Sequence, residues 1–273
     1  MSHKTIDSHI HFWDLANDYN DWVKGTDLPN LVTPVNLNSD AFVHVEAHSD
    51  KFDSLCEYNW LKANFPEKDI KVVATADFTQ SIDSFRNDML KFSKIDDIVG
   101  VRQIMSKTTK TNYSPFDKYI PSDLKDKLKI LAEHDLIFEA QMYPEQYLPI
   151  LDDIAHSGVT MIVEHFGLPI FAGNNNLAEW KTFIKQISQN DNWYMKLSGF
   201  DMNNNMKDVR KCLDFVFDNI PTSQLCYGSN FPVSHQDNYS SWRYFLVEYI
   251  KDDSAIKDVF FNVANKVYLK GEL

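Results

Sequence analysis

At 273 residues, 44% hydrophobic and 24% charged, the chain suits one large α/β domain and is too ordinary in composition for a disordered or fibrous protein. Its formal charge of -12 excludes a surface built for nucleic acid or anionic membrane. Cys56, Cys212 and Cys226 share no CxxC spacing, which excludes a disulfide framework or a cysteine zinc site, and the first ten residues hold no apolar run of signal-peptide length, so a soluble cytoplasmic protein is expected.

The expected elements alternate along the chain. Strands are predicted at 5–11, 41–47, 71–78, 97–104, 136–143, 158–166, 193–200 and 224–233, where apolar and β-branched residues run between turn signals. Helical periodicity fills 52–65, 82–93, 122–135, 146–158, 177–189, 206–220 and 238–250. Ser81 and Ser122 stand at N-cap positions, and Gly158 stands where a helix should end. Strands and helices alternating in this number are the pattern of a single (β/α)8, TIM-type barrel covering residues 1–273. A doubly wound sheet lacks support, since no GxGxxG follows the first strand and no P-loop occurs. The loops AGNNN (172–176) and DMNNN (201–205), and the long segment 12–40, would lie at the end of the barrel where active sites form.

Side chains on a strand alternate faces, so inward positions can be read by parity. In the first strand His9 and His11 share a face, together with Thr5 and Asp7. The second strand offers His44, Glu46 and His48, the third Thr75 and Asp77, and the fourth Arg102. The fifth offers Glu139, Gln141 and Tyr143, the sixth His165, the seventh Lys196 and Ser198, and the eighth Asn230. A barrel interior is normally filled by bulky apolar groups, so polar residues collected at one end point to a site. His44 is read as a hydrogen-bonded structural histidine, and His134, His156 and His235 receive no role.

The stretches IDSHIHFWD, FVHVEA, GVRQI, VEHFG, KLSGF, YGSNFPV and FFNVANKVY, in this order from residue 6 to residue 268, resemble the amidohydrolase-2 branch of the amidohydrolase superfamily. The likeness is to the subgroup of sugar lactonases and 2-pyrone-4,6-dicarboxylate lactonase. It implies a distorted (β/α)8 barrel and hydrolysis at a carbonyl carbon, most often of a lactone. In such proteins an HxH pair and later histidines bind one or two divalent metals, and an Asp after the eighth strand is ligand and base. His9 and His11 match the pair, and His165 matches the histidine after the sixth strand. The fifth-strand histidine is absent, with Gln141 near its place, and Asn230 replaces the Asp. One divalent metal, zinc or manganese, on His9, His11 and His165 is therefore as arguable as a metal-independent site.

An amide takes up no proton near neutral pH, so Asn230 cannot be the general base, though it can hold water or substrate by hydrogen bonds. His48 and Glu46 are the replacements that parity offers, with Glu139 a weaker one. His9, His11 and His165 are expected around one carbonyl oxygen, either through a cation or by direct hydrogen bonds. Arg102 either anchors a substrate carboxylate or hydroxyl or forms a rim salt bridge. Gln141, Lys196, Ser198 and Trp13 complete the expected substrate contacts, while Tyr143, Phe166 and Phe231 either wall the pocket or belong to the core. The expected function is hydrolysis of a small lactone, derived from a sugar acid. The alternatives are a metal-dependent decarboxylase of the same branch and a non-catalytic small-molecule-binding barrel that has lost its Asp. A small molecule is the only partner the chain implies, and its oligomeric state is left open.

Overall fold

A computed structural model describes residues 4–107, 120–169, 177–200, 202–234 and 238–273. The AGNNN loop and His235 lie outside the described residues. Eight parallel strands follow one another in chain order: β1 (Ile6–Ile10), β2 (Ala41–Val45), β3 (Ile70–Thr75), β4 (Ile98–Ile104), β5 (Ile137–Gln141), β6 (Met161–Val163), β7 (Trp193–Leu197) and β8 (Leu225–Tyr227). Beyond β8 the chain returns to β1. The Asn230 N–H donates to the His9 carbonyl at 2.7 Å, and the His11 N–H donates to the Phe231 carbonyl at 2.9 Å. These bonds close the sheet into the expected (β/α)8 barrel.

The helices are α1 (Cys56–Asn64), α2 (Ile82–Phe92), α3 (Leu124–Glu133), α4 (Pro144–Tyr147), α5 (Leu151–Ser157), α6 (Ala178–Ile187), α7 (Met206–Asn219), α8 (Ser241–Ile250), α9 (Asp253–Lys257) and α10 (Val263–Tyr268). Ser81 caps α2 by accepting the Ser84 N–H, and Gly158 ends α5 in the left-handed conformation at φ 75°. Ser122 does not cap α3, whose N-cap is Asp123 with no side-chain cap bond. The helix expected over 146–158 is split into α4 and α5. Pro149, in the 3-10 turn Leu148–Ile150 between them, has no N–H to continue the ladder.

Apolar residues segregate into two layers. One layer, which includes Phe85, Leu128 and Phe138, packs the helices against the outside of the barrel. The other lies within it, where Ile6, Val43, Val73, Ile137 and Ile162 meet Tyr268 of α10. Helix α10 thus plugs the floor, and polar side chains are left to gather at the C-terminal ends of the strands. Among the described residues no helix is long and apolar enough to cross a membrane.

Two departures from strict alternation decide what faces inward. The register of β1 against β2 shifts between Asp7, which pairs with Phe42, and Ile10, which pairs with His44. This bulge keeps His9 and His11 inward but turns Asp7 away from them, correcting the shared face expected for it. Asp7 accepts N–H bonds from Ser229 at 2.9 Å and His9 at 3.2 Å, and the Tyr239 hydroxyl at 3.0 Å. Burial raises its carboxyl to about 6 against these bonds. His44 likewise faces α1 and not the side shared by Glu46 and His48. Its Nδ1 accepts the Phe12 N–H at 3.1 Å, which leaves the ring proton on Nε2, 3.3 Å from Glu57. His44 is structural, as expected.

Glu57 ties three segments together. Beyond His44 it accepts the Asn20 amide at 2.9 Å and the Ala47 N–H at 3.0 Å, joining the 12–40 segment, α1 and the end of β2. The same segment is pinned by a short ribbon, Trp13–Asp14 against Leu31–Val32, and by the Trp22 indole N–H on the Ala47 carbonyl at 2.6 Å. Burial alone would raise the Glu57 carboxyl, but His44 and these hydrogen bonds outweigh it and hold it at about 2, below the ordinary 4.5. A depressed carboxylate contributes stability that is full above the unfolded pKa and disappears as pH falls through the folded one. Glu57→Gln is therefore expected to lower unfolding stability by about 2 kcal/mol at pH 7. In urea unfolding series the gap to wild type should narrow from pH 4.5 towards pH 2. An equal gap throughout would show that the charge is not what stabilises.

Candidate active site

His165 lies just past β6 in a single 3-10 turn, His165–Gly167. His165 (φ 52°), Phe166 (φ 58°) and Leu168 (φ 53°) all take left-handed backbone, as does Asn230 (φ 53°) after β8. Non-glycine residues rarely do so, and where they do the surroundings must hold them there. Two glycines make room. A Cβ on Gly199 would fall 2.6 Å from the His165 ring, and one on Gly228 would fall 2.7 Å from the His9 Cβ.

Three imidazoles meet in the space so opened. The His9 ring centroid is 4.6 Å from that of His165 and 5.1 Å from that of His11. His11 Nδ1 lies 2.8 Å from the Val45 carbonyl and must donate to it, so its Nε2 is a lone pair directed at the Asn230 amide, 3.3 Å away. The atom placed there is Asn230 Oδ1, with Nδ2 3.0 Å from Ser234 Oγ; turning the amide over, NH2 towards His11 and oxygen towards Ser234, gives both neighbours a complementary partner. His165 Nδ1 is 2.9 Å from Ser198 Oγ. Burial lowers all three rings, His11 to about 3 and His165 to about 4, so they are neutral at pH 7.

Glu164 is the member that parity did not single out. It is fully buried, with Oε1 3.5 Å from His9 Nδ1 and Oε2 3.7 Å from His165 Nε2. The signal was present. Ile162 belongs to the inner layer, so two residues further along the same face comes Glu164. His165 joins it only because the 3-10 turn breaks the alternation.

Arg102 holds this carboxylate. Its Nη1 donates to Glu164 at 3.0 Å and to Gln141 at 3.3 Å, its Nε to Glu46 at 2.7 Å, and its Nη2 to the Glu46 carbonyl at 2.6 Å. The guanidinium is engaged by two carboxylates, which is the salt-bridge alternative. Burial would raise the Glu164 carboxyl, but Arg102 chiefly, with Lys196, keeps it low and ionised. Burial raises Glu46 above its usual range in spite of Arg102.

The remaining expected residues flank this cluster. His48 Nδ1 donates to the Ser49 carbonyl at 3.0 Å, and its Nε2 is 3.0 Å from Thr75 Oγ1, which donates to Glu46 at 3.2 Å. His48 and Thr75 line a cavity of about 380 Å³ that reaches Asp77 and Gln103. Lys196 is buried beneath His9, paired with Glu139 at 2.9 Å. Trp13 stands behind His11, ring centroids 6.5 Å apart, buried and with its indole N–H on the Pro29 carbonyl at 2.8 Å. Tyr143 and Phe166 are buried, and Phe231 packs edge-on against Tyr239.

The donor set fits one divalent ion. His9, Glu164 and His165 each offer a ligand atom, all within 4.8 Å of one another, and the buried Nε2 of His9 has no hydrogen-bond partner among the described residues. Glu164 here stands where His11 was expected, because the His11 lone pair faces Asn230.

Comparison with known proteins identifies the family and the fold. A family model described as Amidohydrolase matches residues 6–269. An uncharacterized protein of Sinorhizobium fredii is 24% identical over 260 residues, covering 84% of each chain. Among solved structures, an amidohydrolase from Burkholderia multivorans with bound zinc superposes with a TM-score of 0.74 at 18% identity, covering 97% of this chain and 99% of that one. A 2-pyrone-4,6-dicarboxylic acid hydrolase-like protein from Pseudomonas putida gives 0.74 at 15% identity over 100% of both chains.

The close packing of Gly199 on His165 can be measured. Gly199 and Gly158 both have positive φ, at 81° and 75°, but a Cβ at Gly158 meets nothing within 4 Å. Gly158→Ala is expected to cost about 1 kcal/mol from backbone alone. Gly199→Ala should cost about 1–3 kcal/mol more, because the His165 ring must move. Equal costs in chemical denaturation would mean that His165 is not held as described.

Proposed function

The chain belongs to the amidohydrolase family, and from that premise we propose that it hydrolyses a small lactone derived from a sugar acid. The observation that supports this best is the meeting of three neutral imidazoles with one ionised, fully buried carboxylate at the C-terminal ends of the strands. A neutral imidazole can present an N–H to a carbonyl oxygen without the desolvation cost of a buried cation. A donor aimed at the oxygen as it gains charge is worth about 3–4 kcal/mol. His9 and His165 fill this role. His11 does not, since its N–H is spent on Val45 and its lone pair is taken up by Asn230. A divalent ion such as zinc or manganese, held by His9, Glu164 and His165, would supply Lewis-acid polarisation of the same carbonyl.

The base in this reading is His48. Its proton is fixed on Nδ1 by Ser49, so Nε2 is the nitrogen that would accept one; the single Thr75 hydroxyl proton serves either Nε2 or Glu46, and turns to Glu46 when a protonated Nε2 donates to Thr75. His11, lowered to about 3, holds a transferred proton too weakly. Glu46 is bound by Arg102 through one oxygen and receives Thr75 on the other. Arg102, Gln141 and Ser198 orient Glu164 and His165, and Trp13 backs His11.

A second reading, a binding barrel without turnover, is supported by Asn230 alone. Its amide is satisfied by His11 and Ser234, which suits a retained structural role. Acid release from aldono- and muconolactones, with chelator-treated protein beside zinc- and manganese-supplemented samples, separates the two. Turnover is expected, and His48→Ala should reduce kcat by about 10²–10⁴. No acid release under any metal condition would favour the binder. Turnover untouched by His48→Ala would move the base to Glu46.

A further inference from the structure

A buried ion pair below His9 is not used by the hydrolytic reading. Lys196 and Glu139 are both fully buried, Nζ to Oε1 2.9 Å. Tyr268, on the helix that plugs the barrel floor, donates its hydroxyl to the same carboxylate, and its ring centroid lies 5.3 Å from Nζ. Lys196 is thus held from below, and its ammonium stands 3.4 Å from His9 Nδ1.

That contact has a direction. An ammonium has three N–H bonds and no lone pair, so the nitrogen it faces can only accept. The other neighbour of Nδ1 is Glu164 Oε1 at 3.5 Å, an ion-pair contact without hydrogen-bond geometry, and Arg102 already donates to that carboxylate. A neutral imidazole that accepts at Nδ1 carries its proton on Nε2. This Nε2 is the atom left without a partner among the described residues.

We propose that Lys196, steadied by Glu139 and Tyr268, is a positioning residue that fixes the His9 proton on Nε2. His9 then offers the substrate oxygen a hydrogen-bond donor and not a lone pair. A divalent ion taking His9 through Nε2 must first send that proton to Nδ1 and break the contact with Lys196. An ion taking it through Nδ1 must displace the ammonium itself. Lys196 therefore competes with metal for His9. Only the identity of the oxygen rests on the lactonase reading; the tautomer does not.

Ring nitrogen-15 NMR of chelator-treated protein, with the His9 signals assigned by loss in His9→Gln, reads the tautomer directly. Wild type is expected to show the Nε2–H form. The paired variant Lys196→Met with Glu139→Gln removes both charges and leaves no unpaired buried ion. It should move His9 towards Nδ1–H, which Glu164 can accept, and tighten zinc binding about tenfold or more in calorimetry. Tyr268→Phe, a milder change, should shift the tautomer partway and lower kcat with little change in KM. A wild-type Nδ1–H tautomer overturns the proposal. So do an unchanged tautomer and zinc affinity in the paired variant. If the paired variant does not fold, the wild-type tautomer and Tyr268→Phe decide. A protein that shows Nε2–H yet releases no acid from any lactone keeps this assignment and loses the lactonase reading.

Discussion

A buried guanidinium between two carboxylates is the interaction on which the site depends. Arg102, from β4, joins Glu46 at the end of β2 to Glu164 past β6, so one side chain spans the barrel mouth. Buried ion pairs are weak sources of net stability, because desolvation offsets most of the attraction. Removing one partner is a different matter, since it strands charge in a dry interior. Without Arg102, Glu164 would face the same burial with weaker support and would protonate, and a protonated Glu164 could neither orient His165 nor hold a cation. Arg102 is thus better understood as the part that keeps Glu164 an anion than as a grip on substrate.

The architecture was legible because alternation of strand and helix over this length has few solutions. The histidines were legible because polar residues at strand ends conflict with a packed interior. What was hidden turns on single residues. The bulge between Asp7 and Ile10 has no marker such as Gly, and it moves Asp7 to the other face. Glu164 was overshadowed by the adjacent His165, whose left-handed turn brings it to a face that alternation denies it. Glu57 sits on a helix, and nothing local indicates that it would bind His44, Asn20 and Ala47 together. Each miss comes from a contact made across the fold.

Asn230 shows how an amide can serve where the resemblance implies an acid. Its backbone N–H helps close the barrel on the His9 carbonyl, a role that does not use the side chain. Its amide has one group for the His11 lone pair and another for Ser234. A carboxylate there would set a charge against that lone pair and would need a proton or a cation between them. The amide makes a neutral His11 comfortable without either. Asn230, the N–H of His11 on Val45 and the low basicity of His11 therefore belong to one arrangement.

Charge balance around the histidines extends the same logic. Arg102 and Lys196 stand against Glu46, Glu164 and Glu139, while the rings themselves are neutral. Burial pushes the Glu139 carboxyl up, while Lys196 and the Tyr268 hydroxyl oppose it. Two cations against three carboxylates leave the cluster with at most one net negative charge on its own. A divalent ion entering it adds a net positive charge in a low-dielectric interior, and the cheapest relief is loss of a proton from the cluster. A divalent ion held by His9, Glu164 and His165 would for this reason release a proton as it bound.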